Sequence, residues 1–165
     1  MSDMVPLLFS FENKRIVIIG GGKIAFRKAK SFVKSGATIT IISPEIVEEF
    51  NEFPSILWIK KHFEKEDITN AHVIIAATDD QKVNNYIKEC TSDFQWFSDV
   101  SDQNKSDFHT PAVVRRGDLV ISISTSGKSP ILSKKIKHEL ENYFDDHFFK
   151  IVNDYGEQRK KPGKQ

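Results

Sequence analysis

Cysteine is nearly absent from this chain: Cys90 stands alone among 165 residues. That excludes an internal disulfide and every multi-cysteine metal site. A run of about 18 apolar residues, the length of a membrane span, is also missing. Nor is there an excess of charge of one sign, since 24 Lys and Arg are set against 23 Asp and Glu, a net +1. Such a balance gives no general attraction to nucleic acid or to a membrane surface. The opening "MSDMVPLLFSFENKR" is too short and too acidic for a secretory signal. His62, His72, His109, His138 and His147 show no metal-ligand spacing, so no metal site is expected. What remains, 39% hydrophobic and 28% charged, suits a globular protein. The expectation is a cytoplasmic protein with neither a nucleic-acid nor a membrane partner.

What is present alternates. "RIVIIG" at 15–20 is short, apolar and β-branched, as in a strand buried on both faces. "KIAFRKAKSFVKSGA" places Ile24, Ala25, Ala29, Phe32 and Val33 on one helical stripe, and Gly36 suits its end. "TITIIS", "ILWIKK", "HVIIAAT", "WFSDV" and "DLVISIST" read as further strands. "DDQKVNNYIKEC" and "SPILSKKIKHELENYF" read as helices. Alternation of this kind predicts an α/β chain with a Rossmann-like, doubly wound parallel sheet, followed by a small α+β segment. The boundaries expected are 1–112 for the nucleotide-binding domain, 113–150 for a dimerisation and substrate segment, and 151–165 for a disordered basic tail.

Between the first strand and the first helix stands Gly20-x-Gly22-x-x-Ala25, the setting required of a dinucleotide turn. Gly20 permits the turn, Gly22 lets pyrophosphate reach the backbone, and Ala25 lets helix and strand pack closely. Free N–H groups at the helix start would hold the phosphates. Where the second strand ends, an acidic residue usually grips the ribose, but Ser43, Pro44 and Glu45 stand there. No arginine follows Ser43 to pair with a 2′-phosphate, which favours NAD over NADP. In "AATDD", Thr78, Asp79 and Asp80 fall at a strand's carboxyl end, where either aspartate would also serve as a helix cap. Residues 98–107 form a polar loop, and a serine-rich turn before Pro130 makes Ser129 a good N-cap. Arg115, Arg116, Lys128, Lys134 and Lys135 concentrate positive charge near that helix, which suits a polycarboxylate substrate or a solvated face.

Taken together, "GGGKIAFRKA", "AATDD" and "STSGKSP", in that order and within "PLLFSFENKRIVIIGGGKIAFRKAKSFVKSGATITIISPE" and "DFHTPAVVRRGDLVISISTSGKSP", resemble the precorrin-2 dehydrogenase family, the NAD-dependent domain of siroheme synthases. The resemblance runs over residues 6–143. It implies NAD-dependent oxidation of precorrin-2 to sirohydrochlorin by a homodimer, in some members with ferrous iron insertion as well. Position by position it implies cofactor contacts at Gly20, Gly22, Lys23, Ile24, Ser43, Pro44 and Glu45. Thr78 and Asp79 join them from the strand-end reading. Ser124, Thr125 and Ser129 match the serine-rich segment near the substrate, to which the charge pattern adds Arg115, Arg116 and Lys128.

The family's catalytic aspartate, counted back from Pro111, falls on Ser101, with Asp102 beside it. Asp102 is therefore the first expectation for the base, with Ser101, Asp99 and Asp79 behind it. Two other readings use the same residues: an NAD-binding regulatory module, and a protein that binds tetrapyrrole without oxidising it. The segment 118–144 has an apolar stripe including Ile131, Ile136 and Leu140 that one chain has little means to cover, which leads to the expectation of a homodimer.

Overall fold

The computed structural model describes residues 4–160. Its first compact unit, Met1–His109, is built on five parallel strands: β1 (Arg15–Ile19), β2 (Thr38–Ile42), β3 (Leu57–Ile59), β4 (Val73–Ala76) and β5 (Trp96–Asp99), in the order β3-β2-β1-β4-β5. The Rossmann-like α/β sheet read from the sequence is present. Successive side chains of β1 leave the sheet on opposite sides. Ile16 and Ile18 join Ile39, Ile41, Val73 and Ile75 in one core, and Val17 and Ile19 join Ile42, Ile74 and Ala76 in the other. Both faces are dry, so the central strands are nearly continuous isoleucine and valine. Each such side chain contributes roughly 1.5–3 kcal/mol on burial.

Two helices cover the two faces. From α1 (Lys23–Lys30), Ala25 and Ala29 enter the first core. From α2 (Gln81–Cys90), Ile87 enters the second, with Val83 and Cys90 packed against it. The alternation is less regular than expected, because 3-10 turns (Glu48–Glu52 and Lys65–Ile68) occupy the β2–β3 and β3–β4 connections. The chain steps outward from β1 on one side and resumes at β4 on the other. The carboxyl ends of β1 and β4 therefore diverge into a crevice, where ligands of such sheets bind.

The second compact unit, Thr110–Gln165, holds an antiparallel hairpin, β6 (Ala112–Arg116) and β7 (Leu119–Ile123), then α3 (Pro130–Tyr143) and α4 (His147–Lys160). It begins three residues before the boundary read from sequence, and β6, a segment not among the strands read from sequence, is part of its hairpin. The expectation of a disordered tail over 151–165 is corrected for 151–160, which continue α4. Asp145 accepts the His147 amide at 2.9 Å, and Phe148 packs against Tyr143 and Phe144. Ile151 and Val152 then continue the partly buried side of the helix. Residues 161–165 lie outside those described. Among the described residues no helix is long and apolar enough to cross a membrane.

Candidate cofactor and catalytic site

Three glycines leave β1, and each does something different. Gly20 has φ +118°, and a Cβ there would lie 2.2 Å from the Ala77 carbonyl oxygen. This is the turn residue, pressed against the end of β4. Gly21, not singled out from sequence, faces the other way: its Cβ would meet the Glu45 carbonyl oxygen at 1.9 Å. Gly22 has ordinary backbone angles and nothing within 4 Å of where a Cβ would stand. It is also the N-cap of α1, with no side-chain cap and no acidic residue in the first turn. Open space, donor N–H groups and the positive end of the helix dipole together fit the pyrophosphate of a dinucleotide. Lys23 and Ile24 are exposed in that first turn.

At the end of β2, Ser43 is buried, and its carbonyl accepts Trp58 Nε1 at 2.9 Å. Its hydroxyl lies under Gly21, 2.8 Å from the missing Cβ. Pro44 and Glu45 are exposed beside it. At the end of β4 the two aspartates divide their work. Asp80 caps α2, accepting the Lys82 amide at 2.7 Å, while Asp79 remains exposed.

Beyond β5 the carboxylates also separate. Asp99 is 2% exposed. Its Oδ1 accepts the Ser101 amide at 2.8 Å, the Ser101 hydroxyl at 2.5 Å and the Asp102 amide at 3.3 Å. Its Oδ2 accepts Gln81 Nε2 at 3.4 Å. Asp99 therefore shapes the turn from within. Asp102 is partly exposed; Oδ1 caps a short 3-10 turn (Gln103–Lys105) through the Asn104 amide at 3.1 Å, and Oδ2 lies 3.6 Å from Lys105 Nζ. Ser106 closes the loop, its hydroxyl accepting the Asp99 amide at 2.9 Å. Asp107 accepts the Phe97 amide at 2.8 Å. His109 has Nε2 3.2 Å from the Gln103 carbonyl, as a loop histidine.

A residue that sequence reading missed is the buried Asn84, 0% exposed. Its signal was a polar residue three positions before Ile87, on the stripe that α2 buries.

The candidate substrate residues lie in the second unit. Arg115 and Lys128 are exposed. Arg116 is held internally: Nη1 donates to the Arg115 carbonyl and Nη2 to the Glu141 carbonyl, both at 2.9 Å, with Asp146 3.8 Å from Nε. Ser129 caps α3 through the Leu132 amide at 3.2 Å. Thr125 Oγ1 accepts the Ser129 amide at 3.0 Å, and Ser124 Oγ accepts the Ser126 amide at 3.1 Å. These hydroxyls shape the turn into α3. Among the described residues no group of three or more His, Cys, Asp or Glu is placed to hold a metal.

A parallel sheet with its order reversing at β1, and an uncapped glycine turn at that point, define a protein of the dinucleotide-binding, Rossmann-like class. Residues 7–112 match the NAD(P)-binding family model, and residues 116–143 match that of the sirohaem biosynthesis protein central region. The chain is 40% identical to the precorrin-2 dehydrogenase of Bacillus subtilis (strain 168), over 96% of this chain and 99% of that protein. It is 32% identical to the precorrin-2 dehydrogenase of Priestia megaterium, over 88% of this chain and 73% of the other. Siroheme synthase 3 of Aeromonas hydrophila is 30% identical over 96% of this chain, which spans 35% of that longer protein. The solved structure of SirC, a precorrin-2 dehydrogenase, superposes with a TM-score of 0.80 at 31% identity, over 91% of this chain and 76% of that one. The chain belongs to the precorrin-2 dehydrogenase family.

Proposed function

We propose that this protein oxidises precorrin-2 to sirohydrochlorin in siroheme biosynthesis, in the cytoplasm, with NAD as the hydride acceptor. The observation that carries the reading is the pairing, in one unit, of an open, uncapped phosphate cradle at Gly22 with a loop carboxylate after β5. When bound, the nicotinamide supplies a hydride acceptor. Gly22 and the α1 N-terminus hold its phosphates, and Pro44 and Glu45 border the adenosine side. Preference for NAD is supported by the absence of an arginine just after Ser43.

The substrate loses a hydride and a proton. Asp102 is the carboxylate we assign to the proton, because it is exposed enough to be reached, whereas Asp99 is enclosed by four donors. A base within hydrogen-bond reach typically contributes 100- to 10,000-fold. Arg115 and Lys128, exposed and cationic, are the side chains assigned to substrate carboxylates. We further propose a homodimer formed on residues 118–144. On α3, Ile131 is 82% exposed and Leu132 stands out beside it, a face that a second copy would cover.

The test is direct. Purified protein is incubated with precorrin-2 and either NAD or NADP, following reduced nicotinamide and the sirohydrochlorin spectrum together. Both signals, faster with NAD, are expected. NAD binding with no sirohydrochlorin would replace this reading with that of a binding module.

A further inference from the structure

Asn84 uses every hydrogen-bonding position of its side chain. Oδ1 accepts the Thr78 amide at 3.3 Å and the Thr78 hydroxyl at 2.7 Å. Nδ2 donates to the Thr78 carbonyl at 3.2 Å and to Ser101 Oγ at 3.3 Å. An amide side chain has two donors and two acceptor sites, so the set is complete. Three of the bonds clamp the end of β4. The fourth leaves that strand altogether and reaches the loop after β5. Ser101 in turn sits on Asp99, which also receives the amide of Asp102. An apolar residue would have filled this place on the buried stripe of α2 without the cost of desolvating an amide.

We propose that Asn84 is a positioning residue: it ties the cofactor edge at Thr78 to the loop that carries the proton acceptor, and so sets the spacing between them. The inference rests on the dehydrogenase reading above and deepens it. Thr78 and Ser101 are both held from one helix: Gln81 and Asn85 of α2 also reach the loop, through Ser101, Asp99 and Lys105, but of the three side chains it is Asn84 that holds Thr78 as well. A hydrogen-bonded network centred on a buried side chain holds its parts more narrowly than the separate loops would. Asn84 touches neither reacting group in this account. It acts through Ser101 and the Asp99 turn.

Two variants test it. Asn84→Asp keeps the acceptors for the Thr78 amide and hydroxyl and removes the donor to the Thr78 carbonyl and to Ser101. Ser101→Ala removes the receiving hydroxyl and with it the 2.8 Å bond to Gln81 Oε1 at the start of α2, so Gln81→Ala is measured beside it as the control. The first readout needs no cofactor. The amides of Ser101 and Asp102 should exchange with solvent at least about tenfold faster in each variant, with the amides of β1 unchanged. In turnover, each variant should lose about tenfold in kcat while the Kd for NAD stays within about threefold, and the double variant should be no more than about threefold below the worse single one.

Unchanged loop exchange in Ser101→Ala, or losses in kcat that simply multiply, would overturn the link. Should Asn84→Asp not fold, exchange in Ser101→Ala against Gln81→Ala decides: loop exchange as fast in Gln81→Ala as in Ser101→Ala would overturn the link through Asn84. A wild-type protein that does not oxidise precorrin-2 overturns the proposed activity instead, and exchange still judges the link.

Discussion

Gly21 and Glu45 lie backbone against backbone. The Cβ that Gly21 lacks would be 1.9 Å from the Glu45 carbonyl oxygen, and the Val47 amide donates to the Gly21 carbonyl at 2.9 Å. Neither partner is the free end of a flexible side chain, so Gly21→Ala must displace main chain. We expect a loss on the order of 2–4 kcal/mol, seen as a lower denaturation midpoint. Gly22→Ala, with open space and ordinary angles, should cost no more than about 1 kcal/mol, the loss of glycine from an N-cap. Equal losses for the two would contradict the division of labour among the glycines.

The same contrast makes Gly22 the place to test cofactor binding. Gly22→Asp should fold normally and lose NAD binding, since a carboxylate would occupy and repel the phosphate position. Titration calorimetry on the folded variant gives the answer. Undiminished affinity would remove the dinucleotide from this turn.

Asp102→Asn preserves an oxygen to cap the Asn104 amide and gives up only an ion pair with Lys105, which exposure makes weak. Fold and NAD affinity should therefore hold while turnover falls by at least about tenfold. Asp107→Asn should matter less to turnover, because Asp107 pairs with the Phe97 amide and Lys88 and acts through loop structure. Full turnover in Asp102→Asn would move the base elsewhere, with Asp79 next to be substituted.

Light scattering should report twice the 18.9 kDa chain mass at micromolar concentration. Ile131→Asp, which places a charge on the exposed face of α3, should shift the protein toward monomer with little change in the stability of the first unit. A monomeric parent would remove the homodimer.

His72 links stability to pH. Its Nδ1 accepts the Arg15 amide at 3.1 Å, a bond that needs that nitrogen unprotonated. Desolvation, then the charges of Arg15 and Lys14, lower its pKa from the usual value of about 6.5. The unfolded chain therefore takes up this proton first as pH falls. The contribution is present above about pH 6.5 and is lost as pH drops below it, through the folded pKa. His72→Gln keeps an acceptor without a titration, so its Tm should fall less between pH 7 and pH 5. Parallel Tm curves for the two proteins would show that His72 is not the linked group.

Much of this was legible in the chain. Apolar runs marked six of the seven strands; those of β1, β2 and β4 are β-branched and nearly unbroken, because the middle of the sheet is buried on both faces and leaves no room for polar alternation. The glycine turn was legible because its chemistry is local: three residues, one strand end and one helix start. The cap at Ser129 was visible for the same reason. β6 escaped notice because its two arginines interrupt the apolar run, and the hairpin partner that makes it a strand comes later in the chain. The helix over 147–160 was obscured by the basic residues at its end, although the aromatics at 144, 148 and 149 helped to start it.

The sequence alone determined what depends on neighbours within a turn or two: the elements, the glycine turn, the caps and the motifs that mark the family. The tertiary structure decided which equivalent residue does which task. Three consecutive glycines look alike until Ala77 closes on one and Glu45 on another. Asp99 and Asp102 are both acidic loop residues until four donors converge on Asp99. Asn84 is a polar residue in a helix until β4 and β5, paired side by side, bring Thr78 and Ser101 to its two ends. Those partners are 6 and 17 residues away along the chain, and it is the order of strands in the sheet, set by burying both faces at once, that brings them together.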